Sequence, residues 1–178
     1  MQSVCVFCGS NVGRNSAYAQ AAQALGTELA RRGVAIVYGG GHVGLMGILA
    51  DAALGAGGKV IGVIPQALAD REVAHHGLTE LHIVQSMHER KAMMANLCEA
   101  FVALPGGYGT LEEFFEVVTW SQLGIHDRPV GLLNVEGFYD PLIAMIDSAV
   151  KETFISQYNR GLVRNARTID DLLRSIGC

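Results

Sequence analysis

Short apolar runs recur along the chain, and helical segments fill the spaces between them. Strands are predicted at Ser3–Cys8, Val34–Tyr38, Val60–Ile64, Leu81–Val84, Ala100–Leu104, Val130–Asn134 and, more weakly, Leu162–Arg164. Helices are predicted near residues 15–32, 44–57, 87–98, 111–124, 139–152 and 168–176. Unbroken alternation of strand and helix predicts a parallel sheet covered on both faces. The near-continuous runs VIGVI at 60–64 and AFVAL at 100–104 suit strands buried on both sides. In the first helix Ala22, Leu25 and Leu29 share a face, Arg31 and Arg32 occupy the last turn, and Gly33 stops it. No internal repeat, low-complexity tract or linker interrupts the pattern. The longest irregular stretch, Pro65 to Glu80, is a candidate active-site loop. The expectation is one α/β domain spanning residues 1–178, a doubly wound, mostly parallel sheet of about seven strands with helices on both faces.

Composition narrows the function. Half of the 178 residues are hydrophobic and 17% are charged, which excludes a disordered chain. The net charge is −4, and basic residues never cluster beyond the pairs Arg31–Arg32 and Arg90–Lys91. Such a surface suits neither long nucleic acids nor anionic membranes, but a small anion in a local site is compatible with it. The greasiest stretch, Gly44 to Gly58, is interrupted by Asp51 and reads as a buried helix. The start, MQSVCVF, lacks signal-peptide features, and four scattered cysteines do not make a disulfide framework. A reduced, cytoplasmic protein is expected.

Glycine is over-represented, 22 of 178 residues against a usual share of about 7%. Many glycines fall where a strand's carboxyl end meets the next helix, the place where open parallel sheets bind ligands. The first cluster, Gly39-Gly40-Gly41-His42-Val43-Gly44, matches G-x-G-x-x-G after a strand and before a helix. A full dinucleotide site also needs a carboxylate at the end of the next strand, and Val60–Pro65 has none. Two readings stay open: glycine spacers in tight strand–helix packing, or a loop that binds part of a nucleotide.

The second cluster, Pro105-Gly106-Gly107-Tyr108-Gly109-Thr110-Leu111-Glu112-Glu113, can aim several backbone N–H groups inward at the positive end of a helix. It is anion-binding equipment without the Gly-Lys-Ser/Thr of an ATP-binding P-loop. Thr110 and Glu113 also have the spacing of a capping box, the plain alternative for Glu113. A helical wheel puts Leu111, Phe114, Phe115 and Val118 on the core face, with Glu112, Glu113 and Glu116 opposite. A carboxylate in a first helical turn is held as the anion, which suits a general base or cation stabiliser better than a proton donor.

Cations to offset these acids are at hand in Ser86-Met87-His88-Glu89-Arg90-Lys91. Ser86 and Glu89 fit a capping box, and Arg90 falls on the apolar face with Met87, Met94, Leu97 and Cys98, bordered by Lys91. Cations in a first turn oppose the helix dipole, and a charge on a buried stripe needs a partner. Breaking both rules together points to a site, although an arginine with a packed stem and a solvated head is the alternative. Other candidates are weaker. Cys5-x-x-Cys8 has metal-like spacing but no matching second pair and reads as buried thiols, His75-His76 read as solvated loop histidines with metal binding the alternative, and Trp120 as core, with stacking on a base the alternative for Trp120 and Tyr108. No G-x-S-x-G nucleophile elbow is present.

The two glycine motifs together with Met87–Lys91 closely resemble the LONELY GUY (LOG) family of cytokinin riboside 5′-monophosphate phosphoribohydrolases, many formerly labelled lysine decarboxylases. The PGGxGTxxE signature stands intact at Pro105–Glu113 and G-G-G-x-x-G-L-M-G at Gly39–Gly47. The similarity runs from Cys8-Gly9-Ser10 through Trp120–His126 to Gly131–Asn134. It implies a Rossmann-like hydrolase that cleaves the N-glycosidic bond of N6-modified adenosine monophosphates, yielding free base and ribose 5-phosphate; relatives also act on AMP. It further implies Arg90 and Glu113 as catalytic residues. Substrate binding is expected from Glu80, Lys91, Gly106, Gly107, Tyr108, Gly109, Thr110, Leu111, Glu112 and Thr119, and from Ser10, Gly40 and Gly41. A homodimer with sites near the subunit interface is implied, and neither metal nor cofactor is required. The competing classes are a non-catalytic nucleotide carrier or sensor, which needs the phosphate loop but not the Arg90–Glu113 pair, and a decarboxylase, which would need Lys91 as a pyridoxal-phosphate lysine.

Overall fold

The computed structural model describes residues 1–69 and 74–178. Along β1 (Ser3–Phe7) the side chains alternate between two cores: Val4 and Val6 face one, Cys5 and Phe7 the other. The same alternation runs through β2 (Ala35–Tyr38), β3 (Val60–Pro65) and β5 (Ala100–Ala103), whose residues are almost all buried. This is the signature of strands covered on both faces. With β4 (Glu80–Val84), β6 (Val130–Leu133) and β7 (Val163–Ala166) they form one seven-stranded sheet in the order β4-β3-β2-β1-β5-β6-β7. Every pairing is parallel.

Helices α1 (Ser16–Arg31), α2 (Gly44–Gly55) and α8 (Ile169–Ile176) contribute to the core on one face. On the other lie α4 (Met87–Asn96) and α5 (Tyr108–Gln122), with the aromatic ring of Tyr139 just before α6 (Asp140–Lys151). The expected α/β Rossmann-like architecture is thus observed. Two one-turn helices, α3 (Gln66–Ala69) and α7 (Gln157–Arg160), were not expected. Four residues are too few to show a helical period. The last strand covers Val163–Ala166, displaced slightly from the expected Leu162–Arg164. Among the described residues no helix is long and apolar enough to cross a membrane.

Strand order reverses between β1 and β5, and there the loops leaving the two strands diverge to open a crevice. The crevice is tied at its base. Gly9 N–H donates to the Pro105 carbonyl at 3.1 Å, and Leu45 N–H donates to the Gly9 carbonyl at 3.0 Å. Both glycine clusters and the start of α2 therefore meet at one place.

Candidate active site

One half of the capping box before the Arg90–Lys91 pair forms as the spacing predicts, while the Glu89 carboxylate reaches past the Ser86 cap to the residue before it. Ser86 Oγ accepts from Glu89 N–H at 3.1 Å, and Glu89 Oε2 accepts from Gln85 N–H at 2.9 Å. The buried residues of α4 are Arg90, Met94 and Ala95, whereas Met87 is 42% exposed rather than on the apolar face. Arg90 is 8% exposed, so its charge needs partners within the fold. It finds them in backbone: Nε donates to Val63 O at 3.1 Å and Nη2 to Gly39 O at 2.8 Å. Among the described residues, Nη1 hydrogen-bonds to Met87 Sδ alone, at 3.8 Å. The guanidinium keeps N–H groups for a ligand, because two carbonyls cannot saturate its five donors.

This seating draws in the first glycine cluster. All three successive carbonyls accept from the protein itself: Gly39 from Arg90, Gly40 from His75 N–H at 3.0 Å, and Gly41 from the Tyr38 hydroxyl at 3.2 Å. Gly40 and Gly41 are buried behind Arg90 and do not line the cavity, contrary to expectation. One carbonyl of the cluster, that of Gly39, seats the arginine.

The second cluster departs from its predicted geometry in an informative way. Helix α5 begins at Tyr108, three residues early, with Gly107 in extended backbone as its N-cap and no side-chain cap. Thr110 and Glu113 therefore lie within the helix and no capping box forms. The buried seam rotates to Thr110, Phe114 and Val117, and Phe115, expected in the core, is 39% exposed. Glu113 joins this seam by its i, i+3 spacing from Thr110. Burial pushes its carboxyl up to about 7, against the opposing pull of Arg90, with Glu112 adding to the rise and Lys91 countering it. Against the expectation of a firmly ionised carboxylate, desolvation here outweighs the pull of Arg90 and Lys91.

Arg90 and Glu113 meet in a cavity of about 230 Å³ in the crevice. Its walls also include Cys8, Gly9, Ser10, Gly107, Tyr108, Gly109 and Thr110. Gly106 supports this wall from behind, since a Cβ there would lie 2.1 Å from Thr110 Oγ1. Tyr108, 94% exposed, stands at the mouth. Met46 and Leu68 complete the lining. The Gly-Leu-Met-Gly motif and the long loop after β3 were the available signals for them, but neither singled out a residue. A second cavity of about 280 Å³ lies across the Gly106–Gly107 turn, lined by Val12, Tyr18 and Phe138, and contains no acid or base.

Other expected site residues lie elsewhere. Lys91 Nζ donates to Glu112 Oε1 at 2.6 Å and Glu116 Oε1 at 2.9 Å, a strut between α4 and α5 outside the cavity. Burial works against the Lys91 ammonium, but these two carboxylates hold its pKa above the usual lysine value. Leu111 is half-buried outside the lining, and Thr119 is exposed, its hydroxyl donating to Phe115 O at 2.7 Å. Glu80 begins edge strand β4, at the amino ends of the strands and hence across the sheet from the crevice. It pairs with Lys59 at 2.7 Å, which lowers its pKa, and with His82 at 3.4 Å.

Cys5 and Cys8 face opposite cores, consistent with buried thiols, and Trp120 packs into the core on the α5 side. His75 is 5% exposed, not solvated as expected, while His76 is exposed.

Residues 46–176 match the family described as "Possible lysine decarboxylase". A probable cytokinin riboside 5′-monophosphate phosphoribohydrolase of Oryza sativa subsp. japonica, LOGL1, is 54% identical over 173 residues, covering 97% of this chain and 78% of the relative. The Arabidopsis thaliana enzyme LOG1 is 52% identical over 173 residues, covering 97% and 81%. Among solved structures, the molybdenum cofactor carrier protein of Chlamydomonas reinhardtii superposes with a TM-score of 0.72 over 99% of this chain and 96% of its own. At 20% identity that likeness concerns the fold alone. With more than half of its residues shared with these enzymes along nearly its whole length, the chain belongs to the cytokinin riboside 5′-monophosphate phosphoribohydrolase, or LOG, family.

Proposed function

We propose that this protein hydrolyses the N-glycosidic bond of N6-modified adenosine 5′-monophosphates, and of AMP, to free base and ribose 5-phosphate. The observation that carries the reading is the convergence of Arg90, Glu113 and the amino end of α5 on one cavity at the topological switch point. The N–H groups of Gly107–Thr110 and the positive helix end bind the 5′-phosphate, with Thr110 and Ser10 beside them. Anchoring the phosphate places the ribose over Glu113. As the C1′–N9 bond breaks, positive charge builds on the sugar, and the Glu113 carboxylate stabilises it. The same carboxylate takes a proton from the attacking water, whose oxygen bonds to C1′, while the purine leaves with the bond's electron pair and takes a proton from solvent; Glu113 returns its proton to solvent, so one water is split across C1′–N9. A base with a pKa near the working pH suits this step. Arg90 offsets the charge of the phosphate and the acidic groups and orients Glu113.

No metal or cofactor enters this scheme. The whole of residues 1–178 acts as one domain in it. Exposed apolar side chains beside the site, Met87 on α4 and Tyr108 and Phe115 on α5, support a homodimer joined near the cavity. The acidic balance supports a cytoplasmic protein acting on small nucleotides without nucleic acid or membrane partners. A carrier would need the cavity but not the Arg90–Glu113 pair. Chromatography of products from a panel containing isopentenyladenosine monophosphate and AMP tests the reaction. Stoichiometric free base and ribose 5-phosphate are expected; intact nucleotide after prolonged incubation would show the carrier instead.

A further inference from the structure

Three consecutive glycines make a poor support for a buried cation. They carry no side chains to lock them, Gly40 sits at φ +76°, and such backbone is held only by what it bonds to. The external hold comes from the loop before β4. Ala74 bridges to Gly41, and His75 N–H donates to the Gly40 carbonyl at 3.0 Å. The His75 side chain secures that loop in turn. Its Nδ1 accepts from Gly77 N–H at 3.1 Å, which leaves the ring proton on Nε2, facing Asp51 Oδ1 of α2 at 2.8 Å. The His42 ring packs edge-on against it, with centroids 4.5 Å apart.

His42, Asp51 and His75 also bring three ligand atoms within 4.8 Å of one another, the grouping of a metal site. The hydrogen bonds argue against it. Metal at Nε2 would move the ring proton to Nδ1, against the Gly77 N–H. The Asp51–His75 contact is also closer than the roughly 3.3 Å between ligands in tetrahedral zinc geometry.

We propose that His75 is a positioning residue for Arg90: held between Asp51 and Gly77, it fixes the Gly40–Gly41 backbone and thereby the Gly39 carbonyl that seats the guanidinium. The kinetic consequence rests on the hydrolase reading above, while the geometric one does not. Loss of the hold lets Gly39 drift, and Arg90 moves relative to Glu113 while the phosphate-binding turn stays in place. Small misplacements of this kind lower turnover more than binding.

His75→Leu removes both side-chain hydrogen bonds at similar bulk. Phenylglyoxal modification of Arg90, followed by peptide mass spectrometry, should then accelerate at least about tenfold, and kcat should fall about 10- to 100-fold with KM within about threefold. Asp51→Leu should behave alike, whereas Asp51→Asn, whose oxygen still accepts the Nε2 proton, should stay within about threefold of wild type. In an Arg90→Lys background, His75→Leu should lower kcat less than about threefold, because residues acting through one another are not additive. Should His75→Leu fail to fold, Asp51→Leu carries the same measurements. Unchanged phenylglyoxal labelling in a folded variant overturns the proposal whatever the activity, and so does full kcat loss repeated in the Arg90→Lys background. Stoichiometric zinc binding that disappears in His75→Leu overturns it in favour of a metal site. A wild type that cleaves no nucleotide sinks the reaction instead and leaves labelling to judge the positioning.

Discussion

The Arg90 guanidinium fills the space that a side chain on Gly39 would need: a Cβ there would lie 2.0 Å from Nη2. The obstructing atom is the tip of a long side chain, not backbone. Gly39→Ala should therefore fold, with a stability loss of about 1–2 kcal/mol, while the guanidinium leaves its carbonyl seat. Steady-state kinetics should show kcat/KM reduced about 100-fold, the scale of a 1 Å misplacement. Unaltered kinetics would mean that Arg90 works equally well elsewhere.

Glu113→Gln should reduce turnover by about 10²–10⁴, the range for a general base, while calorimetry still detects nucleotide binding. Turnover equal to wild type would reduce Glu113 to a helix residue without chemistry.

The raised pKa of Glu113 also carries a stability signature. Because the folded state holds the proton more tightly than the unfolded chain, this group lowers stability as pH rises from the ordinary carboxyl range through about 7. The wild type should lose on the order of 3 kcal/mol relative to Glu113→Gln across that window. Thermal melts at pH 4.5 and pH 8 would check it, and parallel curves for the two proteins would contradict the burial of this carboxyl.

Lys91 lies outside the cavity but lowers the Glu113 pKa through space. Lys91→Met should therefore shift the rising limb of the pH–kcat/KM profile to higher pH, with the plateau rate within about threefold of wild type. A plateau collapse without a shift would instead assign Lys91 a direct role on the substrate.

A 5′-monophosphate should be cleaved at least about 100-fold more efficiently than its nucleoside, since phosphate binding energy is used in the transition state. Equal kcat/KM for the two would remove the phosphate from the amino end of α5.

Much of this architecture was legible because strands buried on both faces leave apolar runs that helices, with their longer period, do not. The burial of Arg90 was legible because a cation on an apolar stripe violates local preference, and the structure keeps it buried. Helix α5 was harder to read. Its spacing supports two seams, 111-114-115-118 and 110-114-117; in the fold Phe114 and Val117 are buried in the core with Phe7 and Phe101, while Leu111 and Val118 are only partly buried against it. That rotation turned Glu113 inward and made its ionisation state unreadable from spacing. The pairing of His75 with Asp51 gave no sequence signal either, because the two lie 24 positions apart on different elements.

The bond from Gly9 to Pro105 joins segments nearly a hundred residues apart, across the central strand pair. Neither half of the chain can build the nucleotide crevice alone, so binding competence appears only once the two halves have docked. A nucleotide bound there as proposed would clasp that seam, and saturating ligand should slow the sheet's parting at its middle more than any fraying at its rims.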